Sequence, residues 1–109
     1  MKKILSGATI PTAVLLINDH SALGVLKAVK ESTYQVPKDI SIVGFGDVPF
    51  ASMIHPPLTT GREPSQEIGY AAADMCLKLI QEKRIPQKHL TLPMELIVIA
   101  PRSLAYLAG

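Results

Sequence analysis

The chain has 109 residues, of which 48% are hydrophobic and 18% charged, with a formal net charge of +2 and a single cysteine. That length allows one small domain or part of a larger one, and the composition calls for a packed core rather than disorder. Acidic and basic residues are interspersed, which leaves no basic face for a nucleic acid, and the lone Cys76 excludes an internal disulfide framework and fits a reducing compartment.

Met1-Lys2-Lys3-Ile4-Leu5 starts like a signal peptide, but Ser6, Gly7, Thr9 and Pro11 interrupt the apolar run before an export signal is complete. The longest apolar runs, residues 13–17 and 96–100, are too short to span a bilayer, so the expectation is a cytoplasmic chain with no membrane partner. Residues 1–5, followed by Ser6-Gly7, read as the last turn of a helix with a glycine stop. Residues 12–17 predict a strand, apolar throughout as when both faces of a parallel sheet are covered.

Asn18-Asp19-His20-Ser21 is a strand-to-helix turn with Asn18 or Asp19 as N-cap. The helix is predicted to run to about Ser32, with Ala22, Val25, Leu26 and Val29 as its core stripe. Leu23 shares a column with Lys27 and Lys30 and should be exposed, either as ordinary surface or as an interface contact. After the turn at residues 34–39 comes the central feature, the apolar β-branched run of residues 40–45, which predicts a buried strand ending at Gly46-Asp47-Val48-Pro49. Residues 50–54 form a short apolar segment stopped by His55-Pro56-Pro57, and residues 58–62 predict an extended piece beside the sheet.

Pro64 suits the first turn of a second helix. Its stripe is clear: Ile68, Ala71, Ala72, Met75, Cys76, Leu79 and Ile80 recur at helical spacing, which puts Cys76 on the packing face as a structural thiol. Ile85-Pro86 ends that helix, and two short strands are expected around residues 89–92 and 95–100. Alternating strands and helices specify an α/β fold in layers around a largely parallel sheet.

Catalytic chemistry finds little support. His20, His55 and His89 lie in separate segments without metal-ligand spacing, and Gly44-Phe45-Gly46 lacks the third glycine and helix start of a phosphate loop. No enzyme activity, metal or cofactor is expected. Polar groups at strand ends stand out instead. Asn18 and Asp19 follow one predicted strand and Asp47 follows the next; adjacent parallel strands would bring them to one edge of the sheet, where such groups hydrogen-bond a small polar ligand. The competing reading is that Asn18 and Asp19 only cap their helix, and capping takes the larger share.

Pro11-Thr12-Ala13, Asn18-Asp19 and Ala22-Leu23-Gly24 resemble the "PTA…ND…ALG" signature of the lactose-repressor/galactose-repressor family of transcriptional regulators. Val36-Pro37-Lys38-Asp39-Ile40-Ser41-Ile42-Val43-Gly44-Phe45 is similar to that family's "VPxDISVVGFDD", and Pro56-Pro57-Leu58-Thr59-Thr60 matches its "PPLTT". Ile68-Gly69 with the alanine-rich helix continues the pattern.

The resemblance implies a three-layer effector domain of the periplasmic-binding-protein-like type I fold, of which residues 1–109 are most of the C-terminal lobe. DNA would be bound only through an N-terminal head that, like the other lobe, lies outside these residues. It further implies an effector site at Asn18, Asp19, Gly46 and Asp47. Asn18 matches the asparagine that contacts effector, Asp19 the neighbouring aspartate with a more structural part, and Asp47 the second aspartate. Gly46 stands where the family carries its first aspartate, which argues against ordinary sugar binding or implies an altered effector. A homodimer would form partly through Leu23, Met53 and Ile54. Gly61 replaces the usual β-branched residue after "LTT", and the arginine of the family's carboxyl-terminal segment is displaced to Arg102. The alternative of another class is a periplasmic solute-binding protein that feeds a transporter, distinguished by an export signal upstream. A lobe alone should bind effector weakly or not at all and should self-associate through its uncovered apolar surface.

Overall fold

In the computed structural model, residues 1–99 are described. They form two compact units, Met1–Arg62 with the segment from Leu96 onward, and Glu63–Glu95. The first unit opens with a single helical turn, α1 (Lys2–Leu5), and continues as β1 (Ala13–Leu15), α2 (His20–Lys30), β2 (Ser41–Phe45), a 3-10 turn (Pro49–Ser52) and β3 (Thr59–Arg62). The long helix α3 (Ser65–Ile80) belongs to the second unit, and β4 (Glu95–Ile97) follows it. The sheet order is β1-β2-β3-β4.

β1 and β2 run parallel, with Ala13 opposite Ser41 and Leu15 opposite Val43. β2 and β3 are also parallel, with Val43 opposite Thr59 and Phe45 opposite Gly61. The ladder extends past the formal strand ends, since the Leu16 N–H donates to the Val43 carbonyl (2.8 Å) and the Asp19 N–H to the Phe45 carbonyl (3.0 Å). These bonds carry β1 straight into the turn that starts α2. The β-branched run of residues 40–45 is thus the middle of the sheet, as its composition requires.

Leu16, Ala22, Val29, Ile40, Ile42, Ala51 and Leu58 form the buried core, with Val14, Val25, Leu26, Tyr34 and Ile54 packed around it. α2 supplies Ala22 and Val29 at helical spacing, and Ala28 is buried beside them. Its positions Val25 and Leu26, expected in the stripe, are half-buried.

Several expectations need correction. The strand predicted over residues 12–17 is shorter, and only one of its faces is covered: Leu15 is 75% and Ile17 85% exposed. A continuous apolar run reads the same whether one face or both are packed, so the pattern could not separate the cases. The helix predicted to reach Ser32 ends at Lys30, and Ser32 Oγ instead donates to the Val29 carbonyl beyond it (2.6 Å). Residues 58–62 do not lie beside the sheet but inside it, as β3. Residues 89–92 form no strand; β-propensity there is undone by Pro93 and the absence of a pairing partner. Pro64 sits one residue before α3, at its N-cap position.

Cys76 is exposed rather than packed, and α3 has no buried residue, with Ala71 and Met75 half-covered. Helical spacing marks an apolar face without saying what meets it. On the other side of α3, Lys78 reaches back one turn to Asp74 (2.5 Å). Such an exposed pair contributes only about 0.3–0.5 kcal/mol. Ala100 and Arg102 lie outside the described residues. Among those described, no helix is long and apolar enough to cross a membrane.

Candidate functional site at the strand ends

The parallel register brings three chain segments together at the carboxyl ends of β1, β2 and β3: Asn18-Asp19, Gly46-Asp47-Val48 and Thr60-Gly61-Arg62. In an open α/β sheet this is the edge at which ligands bind.

Asn18 is exposed at the turn into α2. Its Oδ1 accepts both the Ser21 N–H (2.9 Å) and the Ser21 hydroxyl (2.9 Å), which satisfies the first turn of the helix. Asn18 is therefore the side chain that caps, while its NH2 group makes no bond to another described residue. Asp19 occupies the N-cap position with helical φ and ψ but makes no capping bond.

Asp19 turns inward and is 0% exposed. Its Oδ1 accepts the Thr60 hydroxyl (2.6 Å) and its Oδ2 accepts the Val48 N–H (3.0 Å). One carboxylate from the end of β1 therefore holds the end of β3 and the loop after β2. Thr60 is buried as well, and its Oγ1 accepts the Asp47 N–H (3.3 Å). Each polar partner is matched, and no buried side-chain nitrogen or oxygen among the described residues lacks a hydrogen bond. Asp19 thus lines the site from beneath and has no surface to offer an effector.

The approach of Asp19 depends on Gly44. A Cβ at that position would run into Asp19 Oδ1 and lie 2.7 Å from Leu58 Cδ2. Gly46 has φ +122, a conformation that side chains rarely adopt, and its N–H donates to the Gly61 carbonyl (2.8 Å). Asp47 follows with φ 53 and is half-buried. Its Oδ2 accepts the Arg62 Nε–H (2.6 Å), leaving Oδ1 without a partner among the described residues. That ion pair joins the end of β2 to the end of β3 across partly exposed surface, where it orients more than it stabilises.

The sequence-predicted residues Asn18, Asp19, Gly46 and Asp47 do converge on this edge, but not in one role. Asn18 is exposed with an amide donor, Asp47 is half-buried with one carboxylate oxygen not used by Arg62, Gly46 supplies a turn, and Asp19 supplies the support. Thr60 and Arg62 were not among the expected site residues. A glycine inside an apolar strand marks close approach by another group, and at Gly44 that group is Asp19, to which the Thr60 hydroxyl bonds. Arg62 carried no comparable signal.

His20 packs edge-on against Phe50, with ring centroids 5.1 Å apart. A cavity of about 640 Å³ lies elsewhere, bordered by Lys27, Lys30, Tyr34 and His55 on segments leading into β2 and β3, and none of the strand-end residues lines it. Among the described residues, no group of three or more His, Cys, Asp or Glu is placed to hold a metal. Of the expected dimer residues, Met53 is 78% and Leu23 49% exposed, while Ile54 packs partly against the core.

Polar side chains gathered at the carboxyl ends of parallel strands mark the edge at which α/β folds bind ligands, and the chain belongs to the periplasmic binding protein-like domain family, which matches residues 1–99. Its relatives within that family are transcriptional repressors. The lactose operon repressor of Rhizobium radiobacter is 36% identical over 96 residues, which cover 88% of this chain and 84% of that protein. The ribose operon repressor of Escherichia coli is 38% identical over 92 residues, covering 84% of this chain and only 28% of the relative. Among solved structures, the Lac repressor bound to ONPG in its repressed state superposes with a TM-score of 0.79 at 35% identity, over 89% of this chain and 29% of that one. Repressors as kin support the regulator reading over the transporter-linked solute-binding protein.

Proposed function

We propose that this chain is the C-terminal lobe of the effector-binding domain of a cytoplasmic transcriptional repressor. A small hydroxyl-bearing molecule, a sugar or a similar compound, binds at the strand-end edge against Asn18 and Asp47. Its binding favours one arrangement of this lobe and a second one, and a homodimer passes the change to DNA-binding heads outside these residues. One observation carries this reading: the parallel register brings the exposed amide of Asn18 and the half-buried carboxylate of Asp47 to one edge, over the fully bonded support of Asp19 and Thr60. The names of the relatives support the choice of sugars as ligands.

The test is a titration of the ¹⁵N-labelled chain with lactose and with D-ribose. Weak binding, of millimolar order or about −4 kcal/mol, is expected for a lobe that supplies one wall of a cleft. Shifts should centre on the amides of Asn18, Gly46 and Asp47. Shifts confined to the cavity near Tyr34, or none at all, would defeat the reading.

The homodimer is proposed to use the exposed Leu23 and Met53, with Ile54 beneath them. Replacing Met53 by Asp places a charge where an apolar contact would be desolvated. Dissociation should strengthen by about tenfold or more, a typical loss for a central interface residue. Sedimentation equilibrium of Met53→Asp and of Leu23→Asp checks this; association unchanged in both would remove these residues from the interface.

A further inference from the structure

Asp47 is the acceptor of the proposed site, and it stands in a backbone conformation that a side chain does not favour. Its φ is 53, directly after Gly46 at +122. A residue bearing a Cβ is uncommon in the left-handed region, although aspartate enters it more readily than most. Here the constraints can be named. The Gly46 N–H is tied to the Gly61 carbonyl, the Asp47 N–H to Thr60 Oγ1, and the Val48 N–H to Asp19 Oδ2. Two of these three bonds end, directly or through the Thr60 hydroxyl, on the one buried carboxylate of Asp19.

We infer that Asp19 and Thr60 are positioning residues for the effector acceptor: together they fix the peptide groups on both sides of Asp47 and so set the direction of its carboxylate. This rests on the reading of the strand ends as the effector site, which it deepens. The chemistry of the pair fits the task. A Thr hydroxyl has one proton to give and lone pairs to receive with. It gives the proton to Asp19 Oδ1, so its oxygen is polarised as an acceptor for the Asp47 N–H, and the two bonds reinforce each other. Arg62 then holds Oδ2 of Asp47, and the direction left to Oδ1 follows from the backbone beneath it. Direct ligand contact by Asp19 or Thr60 is not needed, and their burial leaves no room for it.

A merely structural Thr60 would be replaced without local consequence by any side chain of its volume. The test therefore compares Thr60→Val, which keeps volume and loses the hydroxyl, with Thr60→Ser, which keeps the hydroxyl. Amide hydrogen exchange is read by NMR for each folded variant, with Leu16 in the β1–β2 ladder as internal reference. In Thr60→Val, exchange at Asp47 should rise by about tenfold relative to Leu16, the equivalent of one lost hydrogen bond, and exchange at Val48, whose bond to Asp19 Oδ2 remains, should rise less. In Thr60→Ser it should stay within about threefold of the parent. Equal exchange at Asp47 and Val48 in all three proteins would overturn the inference.

Should Thr60→Val not fold, the parent chain decides: Asp47 and Val48 amides protected like Leu16 support the inference, and loop-like rapid exchange at both overturns it. A D-ribose titration of the same samples separates the two levels. Sugar shifts at Asn18 and Asp47 in the parent and in Thr60→Ser, but not in Thr60→Val, support positioning. Absence of sugar shifts in the parent sinks the effector reading alone, since the exchange comparison stands without ligand.

Discussion

Gly44→Ala is expected to destabilise the chain by about 1–3 kcal/mol, although it adds a single methyl group to a strand. The position is buried in the centre of β2. The new Cβ would meet Asp19 Oδ1 from one side and Leu58 Cδ2, at 2.7 Å, from the other. Leu58 belongs to the core and is 3% exposed, so it cannot swing away without opening a void. Overpacking of this kind typically costs about 1–3 kcal/mol. Asp19 has no easier escape. If its carboxylate withdraws, the Thr60 hydroxyl and the Val48 N–H lose their acceptor in a dry environment, at about 1–3 kcal/mol for each group left unpaired. The cheaper of the two distortions wins, and neither is small beside the 5–15 kcal/mol that holds an ordinary domain together. Urea unfolding followed by circular dichroism should show the midpoint falling by about 1–2 M at unchanged slope. Gly24→Ala is the control: no atom lies within 4 Å of a Cβ added there, and an alanine is favoured in a helix. It should be neutral or mildly stabilising. An equal response of the two variants would remove the close approach at Gly44 as a determinant of the fold.

Gly44 also shows where sequence was a good guide and where it was silent. The apolar run of residues 40–45 placed the central strand, and the polar pairs after it and after its neighbour placed the candidate site, because a strand's composition reports its burial and a parallel sheet has one ligand-binding edge. At Asn18-Asp19 the local pattern favoured capping over ligand contact without saying which of the two side chains caps. Asn18 takes the cap, and Asp19 takes the structural part that the family resemblance implied, as a buried crossbar to Thr60, 41 residues away in the chain. A contact of that range leaves no periodicity. Its trace is a glycine inside a strand where a β-branched residue would otherwise be favoured. Arg62 reached Asp47 in the same unadvertised way, through the parallel pairing of β2 with β3 rather than through any local spacing. The long helix is the opposite case. Its stripe from Ile68 to Ile80 was read correctly as helical, yet helical spacing did not foretell that Cys76 would be exposed.

Two isoleucines beside neighbouring strands make the sharpest quantitative contrast. Ile40, at the entry to β2, is 0% exposed and is the largest fully buried side chain among the described residues. It joins Leu16, Val29 and Leu58 in the core. Ile40→Ala removes three carbons from a closed site, losing their transfer free energy and leaving a cavity that tightly packed neighbours fill only in part. The expected loss is about 2–5 kcal/mol, and Ile40→Val, which removes one carbon, should lose about 0.5–1.5 kcal/mol. Ile17 closes an equally apolar run, and hydrophobicity alone would assign it the same weight. It is 85% exposed, so Ile17→Ala deletes atoms that water already surrounds and should stay within about 0.5 kcal/mol of the parent. Thermal and urea unfolding of the three variants decide the matter together. A graded loss at position 40 with none at position 17 follows from a sheet packed on one face along β1. Comparable losses at both positions would mean that Ile17 is covered in solution, by a second copy of the chain or by itself in another arrangement. Sedimentation of the Ile17→Ala protein then separates these two, since cover by a second copy would weaken association along with stability.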